Sequence, residues 1–461
     1  MTFFFAFSVA GFLALGFAAL AFHYARTICL HLLAFYVFFV VLPLAAAWLY
    51  TGKVNSRALI GQDLYSFDLA DALVAHAHLY ALYGAGAFAV GFLFRDGALV
   101  RDIARTLAAQ RFKIVWPVLF AAALFVEISI KLSFGTLIVG SGDATRILAM
   151  PYYVTSLVSV LGTLTFGLFA YLAVLSARRR WLLVACLAYV PYVLATDGRR
   201  AMLTALVTFF VLRGLAFGFR PNFRLARIGG AALAIFILIG PIFIEARAVS
   251  LYLQARGTPP VAALAEGVSR AVGGLLRGDT GFQRVATNVA ERGNAGVFFL
   301  AVASRAPEKQ HGKLTAASIL WAIPSVFVEK PPLQAEAMIQ LVANMRVLDD
   351  ANSVPLVLYV DFGPLGMLLA GAVTALLLYA IAKLLAHGRP FGIFHVALLG
   401  SFFALSFGIE KEFASVFVEL RNAALFAPAT LIAMLFSTSR RGRAALRPPP
   451  SPRPATSSRC G

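Results

Sequence analysis

Charge is scarce in this sequence. Only 13% of its 461 residues are Asp, Glu, Lys or Arg, where a soluble globular domain carries about a quarter. Cysteine is scarcer: Cys29 and Cys186 fall inside apolar runs and Cys460 is next to last. With no CxxC pair and no even, spaced set, a disulfide scaffold or a thiolate metal site is excluded. The phosphate loop, the GxSxG nucleophile turn and the HExxH metal helix are all missing, so the common soluble-enzyme chemistries have no foothold. No ladder of acids crosses the middle of the apolar runs, which removes the usual layout of a proton-coupled transporter. The first twenty residues lack the basic start of a signal peptide and read as a retained span.

What is present in excess is apolar length. Hydrophobic residues make up 60% of the chain, in repeated stretches of about 20, each long enough to cross a hydrocarbon core. Backbone groups in lipid must be satisfied within the segment, so these stretches are helices. The pattern predicts an all-α polytopic membrane protein of about 11 (range about 10–14) transmembrane helices with one large periplasmic loop containing short amphipathic helices. The expected spans are Phe3–Phe22, Ile28–Tyr50, Ala70–Phe94, Ile114–Ile130, Tyr152–Leu175, Trp181–Thr196, Ala201–Phe217 and Ile228–Ile244 before the loop. Phe362–Leu385, Phe391–Ile409 and Ala414–Ser437 follow it. The domains are then 1–245 for the first eight spans, 246–360 for the loop, 361–438 for the last three spans and 439–461 for a Pro- and Arg-rich tail too polar to build a core.

The net charge of +19 belongs to the membrane edges rather than to a nucleic-acid surface. Alternate loops carry fourteen and eight Lys and Arg, and the richer set faces the cytoplasm by the positive-inside rule. This places the loop and the N-terminus outside and the basic tail inside. Ionisable residues then gather at one level, at the outer ends of spans: Asp71, Glu127, Asp197, Arg199, Arg200, Glu245, Arg247, Asp361, Glu410, Lys411 and Glu412. They frame a polar chamber that the loop roofs. His76 and His78 are two residues apart and point to different helix faces, so no metal site is expected. Small residues in GAGAFAVG, 84–91, mark a helix-packing face. The apolar run Ile319–Val328, broken by Pro324, predicts a surface-lying or re-entrant piece of the loop.

Three stretches carry a resemblance. ATDGRRAMLTALVTFFVLRG, Ala195–Gly214, is a Gly-Arg turn leading into a span. HGKLTAASILWAIPSVFVEKPP, His311–Pro332, has a G-K…I-P…K-P pattern, and DANSVPLVLYVDFGPLGMLLAG, Asp350–Gly371, has a Y-x-x-F-G-x-x-G entry into the next span. Together they resemble the Wzy-type O-antigen and exopolysaccharide repeat-unit polymerases, although Ser325 follows Pro324 where such proteins often have Arg. The resemblance implies a glycosyl transfer on the periplasmic face. The growing glycan leaves undecaprenyl diphosphate for the non-reducing end of a new lipid-linked unit, with no nucleotide sugar and no cofactor. A diphosphate leaving group needs cations, and the candidates are Arg199, Arg200, Arg284, Arg305 and Lys330. The acceptor hydroxyl needs a base, and the candidates are Glu329, Glu410, Glu412 and His311. The expected partners are the lipid-linked oligosaccharide, membrane lipids and a chain-length regulator, with no nucleic acid. An O-antigen ligase-type transferase, in which His311 matters more, and a polysaccharide exporter or flippase remain as alternatives.

Overall fold

The computed structural model describes residues 31–32, 53–57, 63–94, 103, 106, 113–134, 136, 151–175, 180–217, 242, 245–277, 295–305, 308–324, 326–344, 353–387, 392–407 and 413–432. Helices dominate these residues. Five of them are long and apolar enough to cross a membrane: Val74–Phe94, Val115–Ser133, Tyr153–Leu175, Pro364–Ala386 and Phe413–Ile432, with Ile393–Phe407 a shorter apolar helix. The chain is a helical membrane protein. The first, second and eighth expected spans lie outside the described residues, apart from His31, Leu32 and Ile242, as does the tail 439–461.

One element departs from an all-helical expectation. β1 (Lys53–Arg57) and β2 (Asp63–Asp68) form an antiparallel hairpin pairing Lys53 with Asp68 and Ser56 with Tyr65. A lone hairpin is marginal in water. This one runs directly into α1 (Leu69–Phe94) and lies against α6 (Ala295–Ser304), which supply its support.

Small residues set how the main helices meet. On α1, a Cβ at Gly86 would stand 1.9 Å from the Leu368 carbonyl oxygen. On α10 (Pro364–His387), a Cβ at Gly371 would stand 1.9 Å from that of Tyr83. The 84–91 run is thus a packing face, its glycine letting two backbones touch. Phe94 stacks on Tyr379 at 4.2 Å further along both helices, so α1 and α10 run parallel and begin on the same side. The second crossing joins α3 (Tyr152–Leu175) to α11 (Ile393–Phe407), where a Cβ at Gly167 would lie 2.1 Å from the Val396 oxygen. At Gly400 the nearest backbone atoms belong to Gly167 and Thr163, so this pair is antiparallel. α2 (Val115–Ser133) is also antiparallel to α3: Trp116 meets Tyr171 at 5.4 Å, and Glu127 meets Thr165 eleven residues later.

The sixth and seventh expected spans share one element, α4 (Arg180–Phe217), whose 38 residues are helical throughout. It is not straight. Tyr189 lies 4.8 Å and Phe209 6.5 Å from the same ring, Phe169. A straight helix separates positions twenty residues apart by roughly 30 Å, far more than two side chains can bridge. The chain therefore folds back between Tyr189 and Phe209, in the stretch carrying Gly198, Arg199 and Arg200, and both halves pack on α3.

The long loop is not a detached domain. After a helical stretch at 245–255 come α5 (Pro260–Leu276), α6, α7 (Lys313–Ala322), α8 (Ala335–Val342) and α9 (Val354–Phe362). Leu314, Ile339, Leu356 and Val357 from these helices join the same apolar core as Tyr80 and Leu168. α5 is amphipathic: Ala263, Gly267 and Ala271, four residues apart, are buried while Glu266 and Arg270 pair outside. Burial pushes the Tyr359 phenol of α9 up.

Candidate functional site

α7 is the loop element most firmly placed, and polar groups hold both its ends. The first four N–H donors of a helix are unmet by construction. The carboxylate of Asp361, fully buried on α9, accepts from Leu314 N at 3.1 Å, Thr315 N at 2.8 Å and the Thr315 hydroxyl at 2.6 Å. The G-K and F-G signatures sit at this joint. Gly312, with φ 89°, caps α7, and Gly363, with φ 67°, ends α9; both angles suit glycine.

The other end of α7 presents carbonyls, and two cations take them. Lys330 donates to Leu320 O at 3.0 Å, to Trp321 O at 2.7 Å and to Ile323 O. An ammonium has three donors, so Lys330 is engaged as a helix cap. Arg421, from α12 (Phe413–Ala424), donates to Ala322 O at 3.0 Å. Its remaining nitrogens reach Asn422 Oδ1 at 3.0 and 3.3 Å.

Asn422 carries polar contacts from α12 onto α3. Its amide donates to Ser159 Oγ at 2.8 Å and Thr163 Oγ1 at 3.4 Å. A separate set joins α3 to α2: Thr165 donates to Glu127 Oε2 at 3.1 Å, and Glu127 Oε1 lies 2.8 Å from the Lys131 ammonium. Lys131 also stands over the Tyr192 ring of α4, 5.4 Å from its centre. Two polar clusters thus pack on different faces of α3, one toward α12 and α7 and one toward α2 and α4.

Burial changes along α3. Every residue from Val154 to Thr163 is at least partly exposed, while from Leu164 to Leu175 all but Phe166 are buried. Helical steps of about 100° put Gly162 between the Ser159–Thr163 face and Thr165. Among the described residues, a Cβ at Gly162 would come into ordinary contact with Glu127 Oε1, at 3.8 Å, so the carboxylate lies against α3.

The sequence-predicted residues divide unevenly. Lys330 is α7's cap. Arg305 is also a cap, donating to Ala343 O at 2.9 Å and to Asn344 O at the end of α8. His311 is exposed, with φ 49°, and only its backbone N is bound, to Asp361 O. Glu329 is exposed. Arg199 and Arg200 lie on α4 past Tyr192 and Thr196, where the helix folds back, and their side chains are outside the described residues, as are Arg284, Glu410 and Glu412 entirely. Sequence reasoning placed Glu127 at the outer level but counted Lys131 only as a loop charge. The signal for the pair was Glu and Lys four apart inside an apolar helix. Among the described residues no three His, Cys, Asp or Glu side chains gather to hold a metal ion.

A second buried polar cluster lies between α1 and α11. His31 bonds the Tyr83 hydroxyl and, at 3.1 Å, Ser406 O. It is closed on all sides, with His31 2% exposed, and so is a packing feature rather than a site. No protein-family model matches this chain, and neither a curated protein nor a solved structure matches it.

Proposed function

We propose that this protein is a Wzy-type membrane glycan polymerase. It extends O-antigen or exopolysaccharide from undecaprenyl-diphosphate-linked repeat units on the periplasmic face of a bacterial inner membrane. In this reading the chain has about eleven spans, the loop 246–360 is periplasmic and the basic tail is cytoplasmic. The observation that carries it is the loop helix α7, tied by Asp361 to the entry of α10 and by Arg421 to the helices, together with the buried Glu127–Lys131 pair. Charged groups buried in a span are costly and rarely kept without use.

A glycan-bearing lipid needs its tail in the bilayer and its sugars beside polar groups. Hydroxyls, an amide, a carboxylate and cations gather around α3. Two of the stretches of resemblance lie beside these helices: His311–Pro332 forms α7 and its cap, and Ala195–Gly214 contains the fold-back beyond Tyr192. Asp361, in the third stretch, ties the loop to the start of α10.

The test is direct. Purified protein in lipid nanodiscs, given undecaprenyl-diphosphate-linked repeat units and no nucleotide sugar, is expected to lengthen them in steps of one repeat and to release undecaprenyl diphosphate. Transfer of a finished chain to a lipid A acceptor without lengthening identifies a ligase. Movement of the lipid-linked unit across the bilayer without any new glycosidic bond identifies an exporter.

A further inference from the structure

The turn that follows α7 is strongly apolar on its surface. Val326 is 84% exposed and Phe327 76%. Ile319 on α7 and Leu333 on the return stretch are exposed as well. Apolar residues exposed singly are ordinary, but two adjacent ones at the tip of a turn mark a contact surface. We propose that this turn is a membrane anchor: Val326 and Phe327 insert among phospholipid acyl chains of the leaflet on the loop's side, and α7 reaches into the bilayer rather than standing above it. The anchor is independent of which reaction the protein performs.

Hydrogen bonds place the end of α7 beside the spans. Its last carbonyl, Ala322 O, is bound by Arg421, which lies eight residues into the span-length helix Phe413–Ile432. The next residue, Asn422, bonds Ser159 and Thr163, six and ten residues into Tyr153–Leu175. At 1.5 Å per residue, these contacts fall roughly 9–15 Å from the starts of both helices. Asp361 holds the other end of α7 near the entry to α10. α7 therefore runs alongside span-length helices, and the exposed turn continues from its lower end.

The backbone there suits a place without water. Irregular backbone at membrane depth needs its polar groups met by protein. The four carbonyls from Leu320 to Ile323 all accept from cations, three from Lys330 and one from Arg421. The Phe327 N–H donates to Pro324 O at 3.0 Å, and Pro324, Pro331 and Pro332 have no N–H to satisfy. Trp321, partly exposed, donates its indole N–H to Leu333 O at 3.3 Å, and indoles favour the membrane–water boundary. Glu329 limits the insertion. Its exposed carboxylate is costly in hydrocarbon. Two extended residues span up to roughly 7 Å, so Phe327 reaches the acyl chains while Glu329 stays among the headgroups.

The test uses the full chain in phospholipid nanodiscs, with its native cysteines replaced by Ala and one nitroxide label at Val326→Cys or Phe327→Cys. Glu308→Cys, exposed ahead of α7, is the water reference. Phe125→Cys, 71% exposed on α2, is the lipid reference. All four side chains are exposed, so labelling leaves the packing intact. Collision rates are measured with oxygen, which concentrates in hydrocarbon, and with a nickel chelate, which stays in water. The oxygen-to-nickel ratio at Val326 and Phe327 is expected to exceed that at Glu308 at least about threefold and to approach that at Phe125, as for probes about 5–10 Å into the acyl boundary. A ratio equal to that at Glu308 puts the turn in water and overturns the proposal. Labels that neither reagent reaches are covered by protein, and that result overturns it equally.

Discussion

At the scale of single residues, the cations of the loop show what local structure asks of them. Lys330 and Arg305 stand out in the sequence as charges for a diphosphate, and in the structure both reach helix C-terminal carbonyls. Carbonyls at a helix end are unmet and partly negative; Lys330 meets them from nine and ten residues further on, and Arg305 from a separate helix. Lys330→Met is expected to destabilise the fold by about 1–3 kcal/mol, since it strips three carbonyls of a charged donor. Urea denaturation followed by tryptophan fluorescence measures it, Trp321 lying 5.8 Å below the ammonium. Glu329→Gln, next door but exposed, should stay within about 0.5 kcal/mol of wild type. Ser318 gives the opposite sign. It is fully buried, and its hydroxyl meets no partner among the described residues. Ser318→Ala is expected to raise stability by about 1 kcal/mol, because a buried unmet hydroxyl costs that much.

At the scale of elements, helix positions were legible because an apolar run of span length has few alternatives in lipid. The expected Tyr152–Leu175 coincides with α3, and the packing role of 84–91 follows from glycine spacing. What was not legible is how elements turn and dock. The hairpin β1–β2 escapes notice because five- and six-residue strands carry a weak periodic signal. The docking of α7 depends on Asp361, 46 and 47 residues further along the chain, a distance over which sequence pattern says nothing. The two polar clusters on α3 were hidden for the same reason: Asn422 reaches α3 from α12, and Glu127 and Tyr192 come from α2 and α4. Two predictions belong here. Gly86→Ala and Gly371→Ala each place a methyl against a backbone oxygen at 1.9 Å, where no rotamer gives relief. Each should cost about 1–3 kcal/mol or more, read as a lowered thermal midpoint in detergent. The fold-back of α4 is tested by spin labels at Ala188→Cys and Val211→Cys. A straight helix separates these by roughly 35 Å; the fold-back should bring them below about 20 Å, and a distance near the larger value would show α4 to be one rod.

At the scale of the whole molecule, orientation follows from charge and from helix direction taken together. α1 and α10 run parallel, so Leu69 and Pro364 begin on one side, and α9, which precedes α10, lies there too. α7 is tied to that same end through Asp361. The loop therefore emerges on the side where α1 begins, whichever side of the membrane that is. The positive-inside count decides the side: the loops poor in Lys and Arg adjoin the start of α1, and the tail beyond Ser439 carries six further Arg. Exposed Glu329, beside α7, should be reached from outside. A single cysteine at Glu329→Cys, in a background with the native cysteines replaced by Ala, is expected to react with a membrane-impermeant maleimide in intact spheroplasts. A cysteine kept at Cys460 should react only after the membrane is opened. Because both probes sit on the same chain, their pattern distinguishes a reversed molecule, in which the two responses exchange, from a span count of different parity, in which both cysteines react from one side. An exchanged pattern would put the loop and α7 in the cytoplasm, where nucleotide sugars are available, and would remove the reason for a donor carried on lipid diphosphate.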